Sequence, residues 1–230
     1  MQNKVELLGF YGSDEVIACS AWTSTSRELT EQKRQRIPNL INMLWMDGHE
    51  TPFEKAFVHF LVNCDIASHI HLLKHRMSSL NAESARYKEL KEDKIYLPED
   101  WKGIKISEGD VNEFFYDNDG NINSWYEVLE DYTTLGNQLY HKCLEDLTPV
   151  LGRKRAKESA RYFKTYNSQI QADVVFNMRS FANFIKLRNS EHAQLEIREI
   201  AQKMWNLVED IEGNPFKETL TVINKKINNE

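Results

Sequence analysis

The stretch that decides the fold is KHRMSSLNAESARY, residues 74–87. It sets basic and titratable side chains beside small hydroxyl and amide groups, with a further arginine near its end. After Leu73 the apolar residues no longer recur at the 3.6-residue period of an amphipathic helix. We therefore predict that a helix ends here and runs into a loop that faces a ligand. The side chains suit a phosphate and a planar polar ring, because Arg and Lys pair with anions while Ser and Asn hydrogen-bond to polar groups.

The residues of this stretch leave a second interpretation open, which is the solvated basic end of a helix. Helix surfaces commonly pair Glu with Lys at positions i and i+4, and residues 74–87 lack that pairing. They instead interleave cations with small polar groups, at Ser79, Asn81, Ser84 and Arg86. An anion site and a solvated helix end therefore remain the two alternatives at this point.

Composition limits the class of protein. The 230 residues suffice for one large domain or two small ones. The net charge of −6, from 29 basic and 35 acidic residues, gives no support to general nucleic-acid binding. We expect no secretory signal, because residues 1–16 lack a long apolar core and a small-residue cleavage site. No apolar run is long enough to cross a membrane, and the three cysteines lie far apart. We therefore expect a cytoplasmic protein without a metal site, a membrane span or a nucleic-acid partner.

Periodicity and turn residues predict an α+β fold, because helices and separate strands follow one another without regular βαβ alternation. Strands are predicted at 4–18 (with a turn), 57–62 and 168–178. Helices are predicted at 29–46, 66–74, 122–147, 153–164, 179–188, 191–208 and 215–226. Pro38 is expected near a helix start or at a kink, and Asp65 as a helix cap. Residues 88–121 are expected to form loops and short strands.

A second polar stretch is NMRSFANFIKLRNSEH, residues 177–192. On a helix, Arg179, Asn183 and Leu187 share one stripe at successive i+4 steps. We expect Phe181, Phe184 and Ile185 to pack into the core. If the helix continues, Arg188 and His192 form a neighbouring stripe. The stripe of Arg179, Asn183 and Leu187 can bind a planar heterocycle and its phosphates. The alternative interpretation of this stretch is an ordinary amphipathic helix with a polar outer face. Because the chain lacks the G-x-G-x-x-G and P-loop motifs, a dinucleotide would need an unconventional site of this kind.

Two further segments have plain structural interpretations. HETPFE, residues 49–54, is typical of a helix start in which Thr51 is the cap and Glu54 its partner in a capping box. GRKRAKESARY, residues 152–162, is a charge run typical of a solvated face or a nucleic-acid patch. With residues 74–76 it concentrates positive charge, which permits local anion sites in an acidic chain.

Taken together and in this order, these segments resemble the flavin-dependent thymidylate synthases, the ThyX family. The family motif is Arg-His-Arg, seven residues and Ser, and here Lys74-His75-Arg76 is followed by 77–83 and Ser84. The upstream HETPFE is intact. The downstream pattern N-x-R-S-x-x-N-F-x-x-L-R-x-x-x-H-A-Q-x-E spans residues 177–196. Three separated motifs make the resemblance specific.

The resemblance implies one domain over residues 1–230, with an antiparallel sheet and long helices. It implies a homotetramer whose active sites are shared between subunits. It also implies reductive methylation of dUMP to dTMP, with FAD as bound cofactor, methylenetetrahydrofolate as carbon donor and NADPH as the reductant of FAD. The phosphates of these nucleotides would account for the basic clusters.

The resemblance further assigns site residues by position. The positions that match FAD contacts are Thr51, Glu54, Lys74, His75, Arg76, Asn177, Arg179, Asn183, Leu187 and His192. The positions that match dUMP contacts are His71, Lys74, Ala82, Ser84, Ala85, Arg86, Arg161 and Arg188. Lys74 stands where the family residue touches both ligands.

Arg188 is the predicted catalytic residue. Uracil is a poor nucleophile at C5 until negative charge develops on its N3–C4–O4 edge, and a fixed guanidinium stabilises that charge. No enzyme thiol is expected to attack the ring, because Cys19, Cys64 and Cys143 lie outside all of the motifs.

Two departures from the family pattern lie in the first motif. Lys74 replaces the first arginine and lacks its planar two-pronged geometry, and Ala82 stands where the family frequently has Glu. They are either tolerated variation or the mark of a related pyrimidine-nucleotide flavoenzyme with another base or another one-carbon product. The third hypothesis is a non-catalytic nucleotide- or RNA-binding module that uses 74–88 and 152–164, which the acidic net charge disfavours.

Overall fold

The computed structural model describes residues 2–106 and 124–228. Four strands form one antiparallel sheet in the order β1-β2-β4-β3. The strands are β1 Lys4–Tyr11, β2 Phe57–Asp65, β3 Ser78–Ala82 and β4 Gln169–Asn177. The helices in the described residues are α1 Asp14–Trp22, α2 Glu31–Met46, α3 Ile66–Leu73, α4 Trp125–Leu151, α5 Arg153–Ala160, α6 Met178–Arg188, α7 Leu195–Glu209 and α8 Lys217–Asn228. Helices combined with an antiparallel sheet confirm the predicted α+β class.

Contacts within the chain divide it into two compact units. The first unit consists of Met1–Asn3, Asn63–His69 and Ala82–Gln171. The second unit consists of Lys4–Val62, Ile70–Asn81 and Ala172–Glu230. Each unit is therefore assembled from segments that lie far apart in the sequence, and one domain over residues 1–230 stays a prediction.

The core of the second unit is an aromatic cluster between the sheet and α6. Phe60 of β2 and Phe176 of β4 are fully buried. The ring of Phe60 lies 5.9 Å from that of Phe181, and the ring of Phe176 lies 5.1 Å from that of Phe184. Ile185 is also buried. The predicted apolar face of α6 is therefore confirmed, and the opposite face of the helix remains available to a ligand.

A side chain far away in the sequence holds the start of α8 in the second unit. One carboxylate oxygen of Asp14 accepts a hydrogen bond from the backbone N–H of Glu218 at 2.7 Å. The other oxygen accepts from the backbone N–H of Thr219 at 3.1 Å and from its hydroxyl at 2.6 Å. The first N–H groups of a helix have no partner within the helix, and a negative charge at this end suits the helix dipole. Asp14 thereby specifies where α8 begins.

The first unit is built on α4. Ser124 and Glu127 form a capping box at its start, and buried Tyr140 packs with Ala156 and Ala160 of α5. This helix has 27 residues, but neither it nor any other helix in the described residues is apolar enough to cross a membrane. The basic run at 153–160 therefore lies on a helix that packs against α4.

Most predicted elements are confirmed with shifted ends. The strand at 57–62 continues to Asp65, which caps α3 as predicted, because its carboxylate accepts a hydrogen bond from the backbone N–H of Ser68 at 2.7 Å. The basic segment at 153–164 is α5 followed by a 3-10 turn, Arg161–Phe163. The predicted helices at 122–147, 191–208 and 215–226 are α4, α7 and α8.

The predicted loop after residue 77 is wrong, because Ser78–Ala82 forms strand β3. Among the strands that the structure describes, it lies at the edge of the sheet and has one neighbour, β4. Its residues include neither β-branched nor aromatic side chains, which are the usual local signals of a strand. Pairing with a strand far along the chain therefore overrides the local preference of these residues.

Two other boundaries differ from expectation. Residues 14–18 belong to α1 rather than to a strand and turn, because the Ser13 hydroxyl caps the helix by accepting from the backbone N–H of Val16 at 3.3 Å. Pro38 lies inside α2, so of its two predicted placements the one near a helix start is wrong and the one at a kink stays a prediction. Of the expected loops and short strands at 88–121, the part up to residue 106 contains a 3-10 turn and isolated bridges, and residues 107–121 lie outside the described residues.

Candidate functional site

A cavity of about 540 Å³ opens in the second unit beside α6. The 49–54 segment, the 74–77 segment, α2 and α8 form its other walls. Nine predicted site residues line it: Glu54, Lys74, His75, Arg76, Asn177, Arg179, Asn183, Leu187 and Arg188. The fold thus brings all three motif segments to one cavity, and the predicted stripe of Arg179, Asn183 and Leu187 faces it.

Three predicted site residues belong to the same unit but do not line the cavity. Thr51 is exposed in a short 3-10 helix, and His192 is exposed in the turn after α6. His71 and Gln194 share a hydrogen bond of 3.1 Å between Nε2 and Oε1. Because α6 ends at Arg188, His192 does not extend the helix as a second stripe.

The other predicted dUMP residues belong to the first unit. Ala82 ends β3, and the hydroxyl of Ser84 accepts a hydrogen bond from the backbone N–H of Arg86 at 3.3 Å, which turns the chain past Ala85. The Nε of Arg86 donates to a carboxylate oxygen of Glu158 on α5 at 2.9 Å. The 84–86 segment is thereby tied to the basic helix that the sequence singled out separately. Arg161, the last of these residues, is exposed in the turn after α5.

Asn177 sets the orientation of α6. Its side-chain oxygen accepts a hydrogen bond from the backbone N–H of Ser180 at 2.8 Å, and the backbone N–H of Met178 donates to the carbonyl of Ala56 at 2.9 Å. The helix therefore begins where β4 ends, with its N-terminal turn at the cavity. The positive end of the helix dipole favours a negative ligand there.

Arg179 is fixed by two carboxylates. Its Nε donates to Glu50 at 2.7 Å and its Nη1 donates to Glu54 at 2.7 Å. These bonds, to Glu54 first and then Glu50, raise the pKa of the Arg179 guanidinium. The predicted capping box of Thr51 and Glu54 is wrong, because the 3-10 helix Thr51–Lys55 has no side-chain cap and Glu54 accepts from Arg179 instead.

Arg188 is positioned by a neutral histidine. The Nε of Arg188 donates to Nε2 of His75 at 3.0 Å, so His75 carries its proton on Nδ1. The imidazole is buried and packs edge-on against Phe184, with ring centroids 4.9 Å apart. Burial, followed by the charges of Arg188 and His71, lowers the pKa of His75 to about 4. This bond orients the guanidinium and leaves its two terminal nitrogen atoms for other partners.

Stability should depend on pH through His75. The pKa of His75 is about 4 in the folded protein and about 6.5 in an unfolded chain. Between these values the unfolded chain binds a proton that the folded protein does not bind. The free energy of unfolding should therefore fall as the pH is lowered from about 6.5 to about 4. Denaturant unfolding across this range should show the fall in the wild type and a weaker one in His75→Gln.

The control for this measurement is His49→Gln, which removes an exposed histidine of the same unit. It should keep the pH dependence of the wild type. An identical dependence in His75→Gln and in the wild type would show that His75 does not stay neutral in the folded protein.

The cavity is strongly cationic. Among the described residues that line it, six are lysines or arginines and two are glutamates. The side chains of Lys74 and Arg76 form no ion pair with any carboxylate in the described ranges. Positive charge in a concave site focuses the field on anionic ligands, so this unit of an acidic chain suits a phosphate-bearing molecule.

The cavity also includes residues that the sequence did not single out, among them Trp45, Glu50, Lys186 and Lys226. Glu50 belongs to the intact HETPFE motif, and that motif could have pointed to it. Trp45 and Lys226 lie on α2 and α8, in segments without a motif. Only the packing of these helices reveals that they face the site.

The fold and the cavity define an α+β protein with a cationic site that suits a nucleotide. The family model described as Thymidylate synthase complementing protein matches residues 6–212. The chain belongs to this family. The match confirms the resemblance that the motifs indicated.

Relatives with curated names are flavin-dependent thymidylate synthases. The protein from Pseudothermotoga lettingae is 32% identical over 199 residues, which cover 86% of this chain and 80% of that protein. The protein from Thermosipho africanus is 28% identical over 216 residues, which cover 90% and 86% respectively. A crystal structure of the UMP/dUMP methylase PolB from Streptomyces cacaoi, bound with 5-Br dUMP, matches with a TM-score of 0.70 at 24% identity. It covers 97% of this chain and 95% of that chain, and this likeness concerns the fold.

Proposed function

We propose that this protein catalyses the reductive methylation of dUMP to dTMP. In this proposal FAD is the bound cofactor, methylenetetrahydrofolate gives the carbon, NADPH reduces the flavin, and a homotetramer shares its active sites between subunits. The observation that carries the proposal is the convergence of three motif segments on one cationic cavity, in a chain of the thymidylate synthase complementing protein family. The named relatives support the reaction.

The residues of the cavity fit a flavin dinucleotide. A volume of about 540 Å³ lies in the usual range for ligand and cofactor sites. Lys74 and Arg76 can bind a pyrophosphate, while Leu187 and Met77 give the lining an apolar part against which a ring can pack. When bound, FAD supplies redox chemistry that amino-acid side chains lack.

Arg188 is proposed to act on the uracil ring. Its Nε is held by His75, so the terminal nitrogen atoms need not reorganise when negative charge develops on the N3–C4–O4 edge. A preoriented donor of this kind stabilises developing charge more effectively than solvent does. The guanidinium is therefore proposed to act as an electrostatic group.

His75 is proposed as the positioning residue for Arg188. A charged imidazole would repel the guanidinium and could not accept its hydrogen bond, and the lowered pKa keeps the ring neutral. Ser84, Arg86 and Arg161 are proposed to bind the phosphate of dUMP, because they offer a hydroxyl and two guanidinium groups to an anion. The bond of Arg86 to Glu158 fixes its direction and balances part of its charge.

A second candidate keeps the site and changes the substrate to another pyrimidine nucleotide. Its support is Lys74, which lines the cavity where the family motif has arginine. Lysine is a flexible point charge without a planar fork, so it constrains a bound ring less than arginine does. Preference for UMP or dCMP over dUMP would favour this candidate.

Flavin content and product analysis test the proposal. The purified protein should be yellow, and its flavin absorbance should bleach with NADPH. With methylenetetrahydrofolate it should convert dUMP to dTMP, and mass spectrometry of parallel reactions with UMP and dCMP should separate the two candidates. A colourless protein that takes up no added FAD would contradict both.

A further inference from the structure

The downstream motif ends in Gln194 and Glu196, and neither of these residues lines the cavity. Gln194 occupies the N-cap position of α7, but its side chain makes no capping hydrogen bond there. The side chains that usually cap a helix are Ser, Thr, Asp and Asn, and glutamine is not among them. Helix capping therefore does not account for the side chain of Gln194, and its role must follow from its other contacts.

Two hydrogen bonds fix the direction of the Gln194 amide. Its Nε2 donates to a carboxylate oxygen of Glu196 at 2.8 Å. An ionised carboxylate only accepts, so the amide nitrogen must face Glu196 and the amide oxygen must face the other way. That oxygen, Oε1, lies 3.1 Å from Nε2 of His71. Because an amide oxygen has no proton to give, the imidazole is the donor, and His71 carries a proton on Nε2.

The Nδ1 atom of a neutral His71 is then an acceptor. Within residues 2–106 and 124–228, no hydrogen bond to this atom is formed. His75 has the opposite tautomer, because its Nε2 accepts from Arg188. Burial, followed by the charges of Arg188 and His71, lowers the pKa of His75, so His71 lies near the pair that contains the proposed catalytic arginine. His71 thus keeps an acceptor for a ligand close to that pair.

We propose that Gln194 is a positioning residue that holds His71 in the Nε2–H tautomer, so that Nδ1 accepts a hydrogen bond from the bound pyrimidine nucleotide. Such a nucleotide offers two donors of this kind, the ring N3–H of uracil and a sugar hydroxyl. The opposite tautomer would place an N–H against either donor and lose the bond. Glu196 in turn holds the amide of Gln194. The identity of the nucleotide rests on the proposed function, whereas the tautomer does not.

The first measurement determines the tautomer without any ligand. Nuclear magnetic resonance of protein with isotope-labelled histidine shows which ring nitrogen bears the proton, and His71→Gln identifies the signals of His71. At about pH 8, above the ordinary pKa of histidine, the wild type should carry the proton on Nε2. Gln194→Leu should give a mixture of tautomers. Glu196→Gln should do so as well, because the amide of Gln194 can then turn round. A proton on Nδ1 in the wild type would overturn the proposal.

The second measurement is the affinity for dUMP, obtained by calorimetry. Gln194→Leu should weaken dUMP by about fivefold, the effect of one ordinary hydrogen bond, and should leave FAD affinity unchanged because Gln194 lies outside the cavity. Glu196→Gln keeps both hydrogen bonds possible without fixing their direction, so it should have a smaller effect of the same kind. The matched control is Gln202→Leu, an exposed glutamine of α7 that bonds to Asn206 and should change neither affinity.

Two analogues of dUMP identify the donor. If the donor is the base, N3-methyl dUMP should bind equally to the wild type and to Gln194→Leu. If the donor is the sugar, the analogue without the 3′-hydroxyl should do so. A loss of the same size for dUMP and both analogues, or no loss for dUMP, would overturn the proposal. A wild type that binds no dUMP would contradict the proposed function and the nucleotide as ligand of Nδ1, and the tautomer would still decide whether Gln194 positions His71.

Discussion

The Arg188→Ala variant should turn over dUMP about 10²–10³-fold more slowly than the wild type. The side chain lines the cavity, and its Nε is held at 3.0 Å from Nε2 of His75. Its loss removes a preoriented positive charge from the place where the uracil ring is proposed to become negative. The affinity for FAD should change little, because five other lysines and arginines line the same cavity. Turnover is measured from dTMP formed at saturating dUMP, and affinity from flavin fluorescence.

Two further variants serve as controls for the loss of turnover in Arg188→Ala. Arg188→Lys keeps the charge but loses the planar guanidinium and the Nε–H that donates a hydrogen bond to His75. It should therefore recover only part of the lost rate. Arg198→Ala removes an arginine that does not line the cavity and should leave turnover close to that of the wild type. Near wild-type turnover in Arg188→Ala would refute the assigned catalytic role.

The Gly136→Ala variant should lower the free energy of unfolding by about 2 kcal/mol. A Cβ atom at Gly136 would lie 2.6 Å from the carbonyl oxygen of Phe163. That oxygen belongs to the backbone, so either α4 or the Arg161–Phe163 turn must move. Overpacking of this kind costs about 1–3 kcal/mol, and the better helix propensity of alanine offsets at most about 1 kcal/mol of it. Denaturant unfolding followed by circular dichroism measures the loss.

If the turn moves, the same substitution should also weaken dUMP binding, because this turn carries Arg161, a proposed phosphate ligand. The control is Gly9→Ala, where an added Cβ would meet no heavy atom within 4 Å. That control should change stability much less and leave dUMP affinity unaltered. An unchanged or higher stability in Gly136→Ala would show that α4 and the turn do not meet as closely as the structure describes.

The local sequence pattern is sufficient to predict an element that packs along one regular face. Residues 178–188 form α6 almost as the spacing predicts, with Phe181 and Phe184 buried and Arg179 and Asn183 facing the cavity. The reason is that a helix repeats every 3.6 residues, so core and ligand faces can be separated by counting. The cap at Asp65 is predictable for a related reason: the capping residue and its helix are neighbours in the sequence.

The local sequence pattern gives wrong predictions where the residues that hydrogen-bond or pair as strands lie far apart in the sequence. The three-residue spacing from Thr51 predicts a capping box for Glu54, yet the Glu54 carboxylate accepts a hydrogen bond from Arg179. The residues of β3 carry no local strand signal and predict a loop, yet the strand pairs with β4. In each case a contact across the fold outweighs a neighbour along the chain, and sequence spacing does not encode such contacts.

The sequence by itself determined the family, the α+β class and nine of the residues that line the cavity, because motifs and helical periods are properties of short segments. Only the tertiary structure decided that His75 holds Arg188, that two glutamates hold Arg179, and that Gln194 bonds to His71. The physical reason is that hydrogen bonds and ion pairs act over a few ångströms in space. Only the packed chain brings residues so far apart in sequence within that distance.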